Sequence, residues 1–150
     1  MIQLFTLCAA LIPYANAEVS AEQDLTRGMW ALNSWAVSNL AVGVPMSIQA
    51  TDPQSKSFHQ MNAGWNVVNV ALATPALIKP KAVDPKRMAK LFWINAGLDV
   101  GYMAAGLWMS QRGQATGNPQ LTGWGQSVLL QGGFLFAFDS AMGFRMMSHD

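Results

Sequence analysis

Two carboxylates stand where the chain is otherwise apolar. Asp99 lies in LFWINAGLDVGYMAAGLWM (91–109) and Asp139 in SVLLQGGFLFAFDSAMGF (127–144). A carboxylate at bilayer depth costs roughly 2.5–3.5 kcal/mol on insertion scales, so it faces a bundle interior or a wet cavity. There it either holds helices together or handles a proton or a small polar solute. Two ionised carboxylates in one layer repel, so at least one is expected to carry a proton or to meet a cation. Arg27, Lys90, Arg112 and Arg145 are the basic residues within or at the ends of the apolar segments. Arg145 is six residues past Asp139 and so off its face. Asp99 is therefore expected to be protonated among Asn neighbours.

Amide side chains recur at helical spacing around these two residues. Asn62, Asn66 and Asn69 fall at i, i+4 and i+7, and Asn95, Asp99 and Tyr102 repeat the pattern. Gln131 and Asp139 share a face eight residues apart, and Asn33 and Asn39 serve an earlier segment. Each helix thus turns a polar stripe inward. Asn39, Asn69, Asp99 and Asp139 are expected in one layer, roughly 9–18 Å of helix rise from the end bearing most basic residues. Interhelical amide bonds in membrane bundles contribute about 0.6 kcal/mol each, so the Asn and Gln residues read first as structural glue. The two aspartates are poised between glue and function.

Other chemistry is sparse. His59 opens a segment in Phe58-His59-Gln60-Met61-Asn62, while His149 is near the C-terminus, on the opposite side of an up-down bundle. A shared haem or metal is not expected, and His59 reads as a cap or interface residue. No metal-ligand spacing, nucleophile elbow, P-loop or dinucleotide glycine pattern is present, so no cofactor, metal or catalytic residue is expected. The single cysteine, Cys8, excludes an intrachain disulfide and a cysteine-based metal cluster.

The elements that must position these residues are four apolar segments, at about 28–49, 58–78, 88–110 and 121–147. Each is near the length that crosses a bilayer core of about 30 Å. The connections TDPQSKS, KPKAVDPK and RGQATGNPQ are rich in turn formers. Their shortness implies antiparallel neighbours, hence an all-α, up-down four-helix transmembrane bundle with a polar Asn/Gln/Asp core. Strands are not expected, because period-2 alternation is absent. Composition agrees: the chain of 150 residues is 51% hydrophobic and 11% charged, against about 25% charged in soluble domains. Mean hydropathy is a modest +0.19, as expected if the spans carry many polar residues. A net charge of +1 offers no basic field for nucleic acid. Asp24 is expected as N-cap of the first helix, and Pro45 is expected to kink its last turns.

Finer patterns add detail. Trp35 to Val42 and Trp65 to Leu72 both follow W-x-V-x-N-[LV]-A-[VL], which predicts related hairpin arms with Asn39 and Asn69 at similar depth. Gly97, Gly101 and Ala105, like Gly133, Ala137 and Ala141, are spaced for close approach of the third and fourth helices. Trp30, Trp35, Trp65, Trp93, Trp108 and Trp124 mostly lie near segment ends, as an aromatic belt would.

Residues 1–17 read as an export signal ending in Ala15-Asn16-Ala17, leaving one membrane domain over 18–150. Lys79, Lys81, Lys86, Arg87, Lys90, Arg27 and Arg145 would share one side of a four-span bundle, opposite Lys56 and Arg112. The positive-inside rule puts those seven in the cytoplasm, whereas a cleaved signal puts them outside, so orientation stays open.

The blocks FHQMNAGWNVVNVALA (58–73), NAGLDVGYMAAGL (95–107) and GWGQSVLLQGGFLFAFD (123–139) resemble those of a family of small bacterial membrane proteins described only as a domain of unknown function. The resemblance covers most of the chain after the signal-like segment, and family members likewise open with an export-like stretch. The matched positions are His59, Gln60, Asn62, Trp65, Asn66, Asn69, Asn95, Asp99, Tyr102, Gln126, Gln131 and Asp139. The resemblance implies no activity, substrate or catalytic residue. The combined expectation is a non-enzymatic structural or accessory component of a bacterial, inner membrane. Its partners would be the lipid bilayer and either a second copy or another membrane protein. The alternative is a small carrier or conduit for protons or a polar solute using Asp99 and Asp139, with an intramembrane enzyme a distant third.

Overall fold

Three of the four helices begin on the same device, an Asx side chain followed by proline. A computed structural model describes residues 20–79 and 81–149; the export-like segment 1–17 lies outside them. The helices are α1 (Ala21–Gln49), α2 (Pro53–Ile78), α3 (Pro85–Ala115) and α4 (Pro119–Met147), and no strand occurs among the described residues. Asp52 accepts from the Ser55 N–H at 2.7 Å, Asp84 from the Lys86 N–H at 3.0 Å and Asn118 from the Leu121 N–H at 3.0 Å. Proline then occupies the first helical position, where its missing N–H costs nothing and its fixed φ suits the helix. These caps start the helices two to five residues before the apolar periodicity does. Pro45 and Pro75 stand inside α1 and α2, which both run on past them.

The start of α1 corrects an expectation. Ser20 and Gln23 form a capping box, so Asp24 is not the N-cap. Released from that task, Asp24 is buried one turn inside the helix. His149 meets its carboxylate at 3.0 Å, and Arg27 and Arg145 at 3.8 Å each. This cluster ties the beginning of α1 to the end of α4.

Helix α4 is the axis of the bundle. It packs on α3, on α2 and, less extensively, on α1, while α1 and α2 form a hairpin. Helix α3 leans on α4 and meets α1 and α2 only marginally. The arrangement is an up-down bundle flattened along one diagonal, with the parallel helices α2 and α4 in contact. Glycine permits this. A Cβ on Gly123 would stand 2.8 Å from the Phe58 N of α2, and one on Gly106 would stand 2.6 Å from the Leu129 N of α4. A Cβ on Gly125 would collide with the Ser110 N of α3.

Helices α3 and α4 do pack closely, but not through the expected stripes. Around Gly97 and Gly101 there is open space, and a Cβ on Gly133 would reach only the Met103 sulfur at 4.0 Å. The contact instead follows Asp99, Met103, Gly106, Ser110 and Gly113, meeting Thr122, Gly125, Leu129 and Gly132. That is the alternating three-four spacing of a coiled-coil seam. The predicted four-residue stripe lies beside it and faces outward.

Burial is inverted relative to a water-soluble bundle. Asn62, Asn66, Asn69, Asp99, Ser127, Gln131 and Asp139 are inside, whereas Ile48, Leu72, Ile78, Ile94, Leu98, Leu107 and Phe144 are exposed. Phe92, Met142 and Met146 form a small apolar core with Ala21 and Ala89 near the Asp24 end. Among the described residues one helix, α4, is long and apolar enough by composition to cross a membrane. The others fall short of the expected four spans because their inward polar residues dilute the average.

Gly125→Ala is expected to lower stability by about 1–3 kcal/mol, since backbone must move to admit the methyl. Gly97→Ala, in open space, is expected to be neutral or stabilising by up to about 1 kcal/mol. Thermal unfolding of both variants checks the pair.

Candidate functional site

Two polar assemblies occupy the interior, one fully hydrogen-bonded and one not. The first is a ring over α1, α2 and α4. The Trp35 indole N–H donates to Gln131 Oε1 at 3.0 Å. The Gln131 amide donates to Asn62 Oδ1 over a short hydrogen bond. Asn62 Nδ2 donates to Asn39 Oδ1 at 3.0 Å, and Asn39 Nδ2 closes the ring on the Trp35 carbonyl at 2.9 Å. Trp35 is also stacked on Phe134 of α4, with ring centroids 4.0 Å apart. From the ring a branch runs down α2. Asn66 Nδ2 donates to the Asn62 carbonyl at 2.8 Å, and Asn69 Nδ2 to Asn66 Oδ1 at 3.3 Å. Asn66 and Gln131 are completely buried. A buried amide left without partners costs about 1–3 kcal/mol, so a ring of this kind fixes the register of three helices.

The second assembly begins where the branch ends. Asn69, Asn95, Asp99 and Asp139 line a cavity of about 360 Å³ to which all four helices contribute. The two carboxyls lie against each other, and Asn95 hydrogen-bonds Asp139. Asp99 is 3% exposed, yet its Oδ2 has no hydrogen-bond partner. The rest of the wall is apolar or aromatic. Met29 and Leu32 come from α1, Trp65 and Leu72 from α2, Phe92 and Tyr102 from α3, and Leu135 and Phe138 from α4. Trp65 and Tyr102 meet edge to face at 5.0 Å across the α2–α3 seam, as do Phe92 and Phe138 at 6.1 Å between α3 and α4. The cavity exists because α3 is held by α4 and not by α2.

The expected single layer divides between these assemblies. Asn69, Asp99 and Asp139 come together with Asn95 and Tyr102, whereas Asn39 belongs to the ring with Asn62 and Gln131. The repeated motif does not place Asn39 and Asn69 at one depth. Asn39 pairs with Asn62, which lies two helical turns from Asn69, about 10 Å of rise. The antiparallel hairpin reverses direction, so equal motifs meet at unequal heights.

The remaining candidates lie away from both assemblies. Gln126 accepts from Gln54 Nε2 at 3.0 Å near the opposite end of the bundle. Gln60 is exposed and lines an outer groove with Trp65, Tyr102 and Trp124. His59 is half-buried, with Phe58 edge-on to its ring and a buried Nδ1 that lacks a partner. No group of three His, Cys, Asp or Glu that could hold a metal ion occurs among the described residues. Sequence reasoning missed Trp35 and the aromatic walls. Trp35 precedes Asn39 by four residues on one face, a signal that its N–H points into the same polar interior.

Gln131→Leu is expected to cost about 1–3 kcal/mol by leaving the Trp35 N–H unpaired and Asn62 Oδ1 with only the 3.3 Å hydrogen bond from Asn66 Nδ2. Combining it with Asn62→Leu should cost less than the sum, because both act on one ring; a double-mutant cycle of unfolding free energies measures the coupling.

No curated protein and no solved structure matches the chain. A family of unknown function (DUF6992) matches residues 31–140, a span that holds the amide ring and both carboxyls of the cavity. By that match, over most of its length, the chain belongs to the DUF6992 family.

Proposed function

We propose that this protein is an integral membrane component, a non-enzymatic helical bundle that spans the bilayer and holds itself together by interior amides. The observation that carries the reading is the inverted burial. Large apolar side chains cover the outside, among them Trp108 at 63%, Ile48 at 73% and Phe144 at 64% exposure, while amides and carboxyls fill the inside. Water would penalise that surface and a hydrocarbon phase would not. Helices of 26 to 31 residues also exceed the length needed to span. The full chain is expected to remain in the membrane pellet after an alkaline carbonate wash and to need detergent for extraction. Recovery as a monodisperse protein in plain buffer would overturn the reading.

A second reading, a carrier or conduit for a small polar solute or protons, is favoured by one observation. A structural role would satisfy both carboxyls, and the buried Asp99 Oδ2 has no hydrogen-bond partner. On this reading Asp99→Asn unfolds at or above the wild-type temperature, since it removes a desolvated carboxyl. A loss beyond about 2 kcal/mol, on the scale of a broken buried polar contact, would assign Asp99 to the glue instead.

A further inference from the structure

We infer that the cavity between Asp99 and Asp139 is a binding site for an organic ammonium cation of amphipathic character, reached sideways through the α2–α3 seam. The inference rests on the carrier reading and specifies what would be bound. Two adjoining carboxyls call for a shared proton or a cation, and anions are excluded by the same argument. Asp99 and Asp139 both line the cavity and are almost fully buried, so their carboxyls are acceptors already stripped of bulk water. Around the carboxyls stand Trp65, Phe92, Tyr102 and Phe138, whose ring faces attract an ammonium and whose area accommodates its hydrocarbon. A hard metal ion would call for six or more oxygen ligands, and the wall is mostly rings and aliphatic carbons. A neutral solute would use the rings but would gain nothing from a carboxylate charge. The volume, about 360 Å³, lies at the lower end of the range for small-molecule pockets.

The route follows from packing. Helices α2 and α3 meet only marginally, so the cavity wall on that side is made by side chains alone. Val68, Leu72, Leu98 and Tyr102 line it and are also exposed on the outer surface. A ligand crossing there passes between apolar side chains and arrives with its charged end toward the carboxyls. The surface it leaves is the one proposed to face lipid, which selects molecules that partition into a bilayer.

The test uses the full chain purified in dodecylmaltoside, titrated calorimetrically with phenethylammonium and with the neutral isostere 2-phenylethanol. The cation is expected to bind saturably and about tenfold or more tightly than the alcohol, the scale of a desolvated cation–π contact plus a charge partner. Asp99→Asn and Asp139→Asn should each abolish that preference. Equal affinities for cation and alcohol in the wild type, or an unchanged preference in both variants, would overturn the site. Should neither variant fold, Tyr102→Leu at the seam keeps both carboxyls and is expected to weaken the cation more than the alcohol; an unchanged ratio overturns it equally. Uptake of phenethylammonium into proteoliposomes separates the two claims. Saturable binding without uptake ends the carrier reading and leaves the ammonium site in place.

Discussion

The backbone of α4 is bare at the positions where its neighbours press on it, and the geometry of the bundle follows from that. Gly125 admits the α3 chain at Ser110, and Gly123 admits the α2 chain at Phe58. Helices that approach this closely gain backbone dispersion contacts that no bulkier pair could make. Because α4 draws both α2 and α3 to itself, the square of an ideal four-helix bundle collapses along one diagonal. The same pull leaves α2 and α3 apart, and that separation is the cavity. Packing at one seam and space at another are thus a single constraint seen from two sides.

Within that frame the interior divides its polar groups by how completely they are satisfied. In the ring of Trp35, Gln131, Asn62 and Asn39, each donor finds an acceptor on a neighbouring residue, and the backbone carbonyl of Trp35 closes the circuit. The carboxyl pair is different in kind, with one oxygen buried and idle. Apart from Asn69 and Asn95, the latter hydrogen-bonded to Asp139, the residues around it are aromatic and aliphatic. The two assemblies are thus neighbouring layers of one core, joined through Asn66 and Asn69.

Much of this was legible in the sequence and some was not, for identifiable reasons. The four helices and the inward amide face of α2 followed from apolar length and from the spacing of Asn62, Asn66 and Asn69, whereas on α3 Asp99 is buried and Asn95 and Tyr102 are exposed. The meeting of Asp99 with Asp139 followed from the same reasoning. Which glycines made contact did not, because Gly97 and Gly106 look alike until the rotation of α3 about its axis is known. That rotation is set by α4, a partner distant in sequence. Asp24 was misread as a cap because Ser20 and Gln23 compete for the same backbone groups and win through a reciprocal pair. The split of Asn39 from Asn69 depended on the heights at which α1 and α2 pair, information that a motif repeated along the chain does not contain.

The ring also bears on how the chain is made. Asn62 finds its acceptor on α1 but receives its own hydrogen bond from Gln131, 69 residues downstream. At biosynthetic speeds of about 5–20 residues per second, the first hairpin therefore exists for several seconds with its amide face open. During that interval Asn62, Asn66 and Asn69 lack the helix that buries them in the finished bundle. The last helix to emerge is the one that closes the core, so the bundle matures from its end, and its earliest helices are kept in waiting.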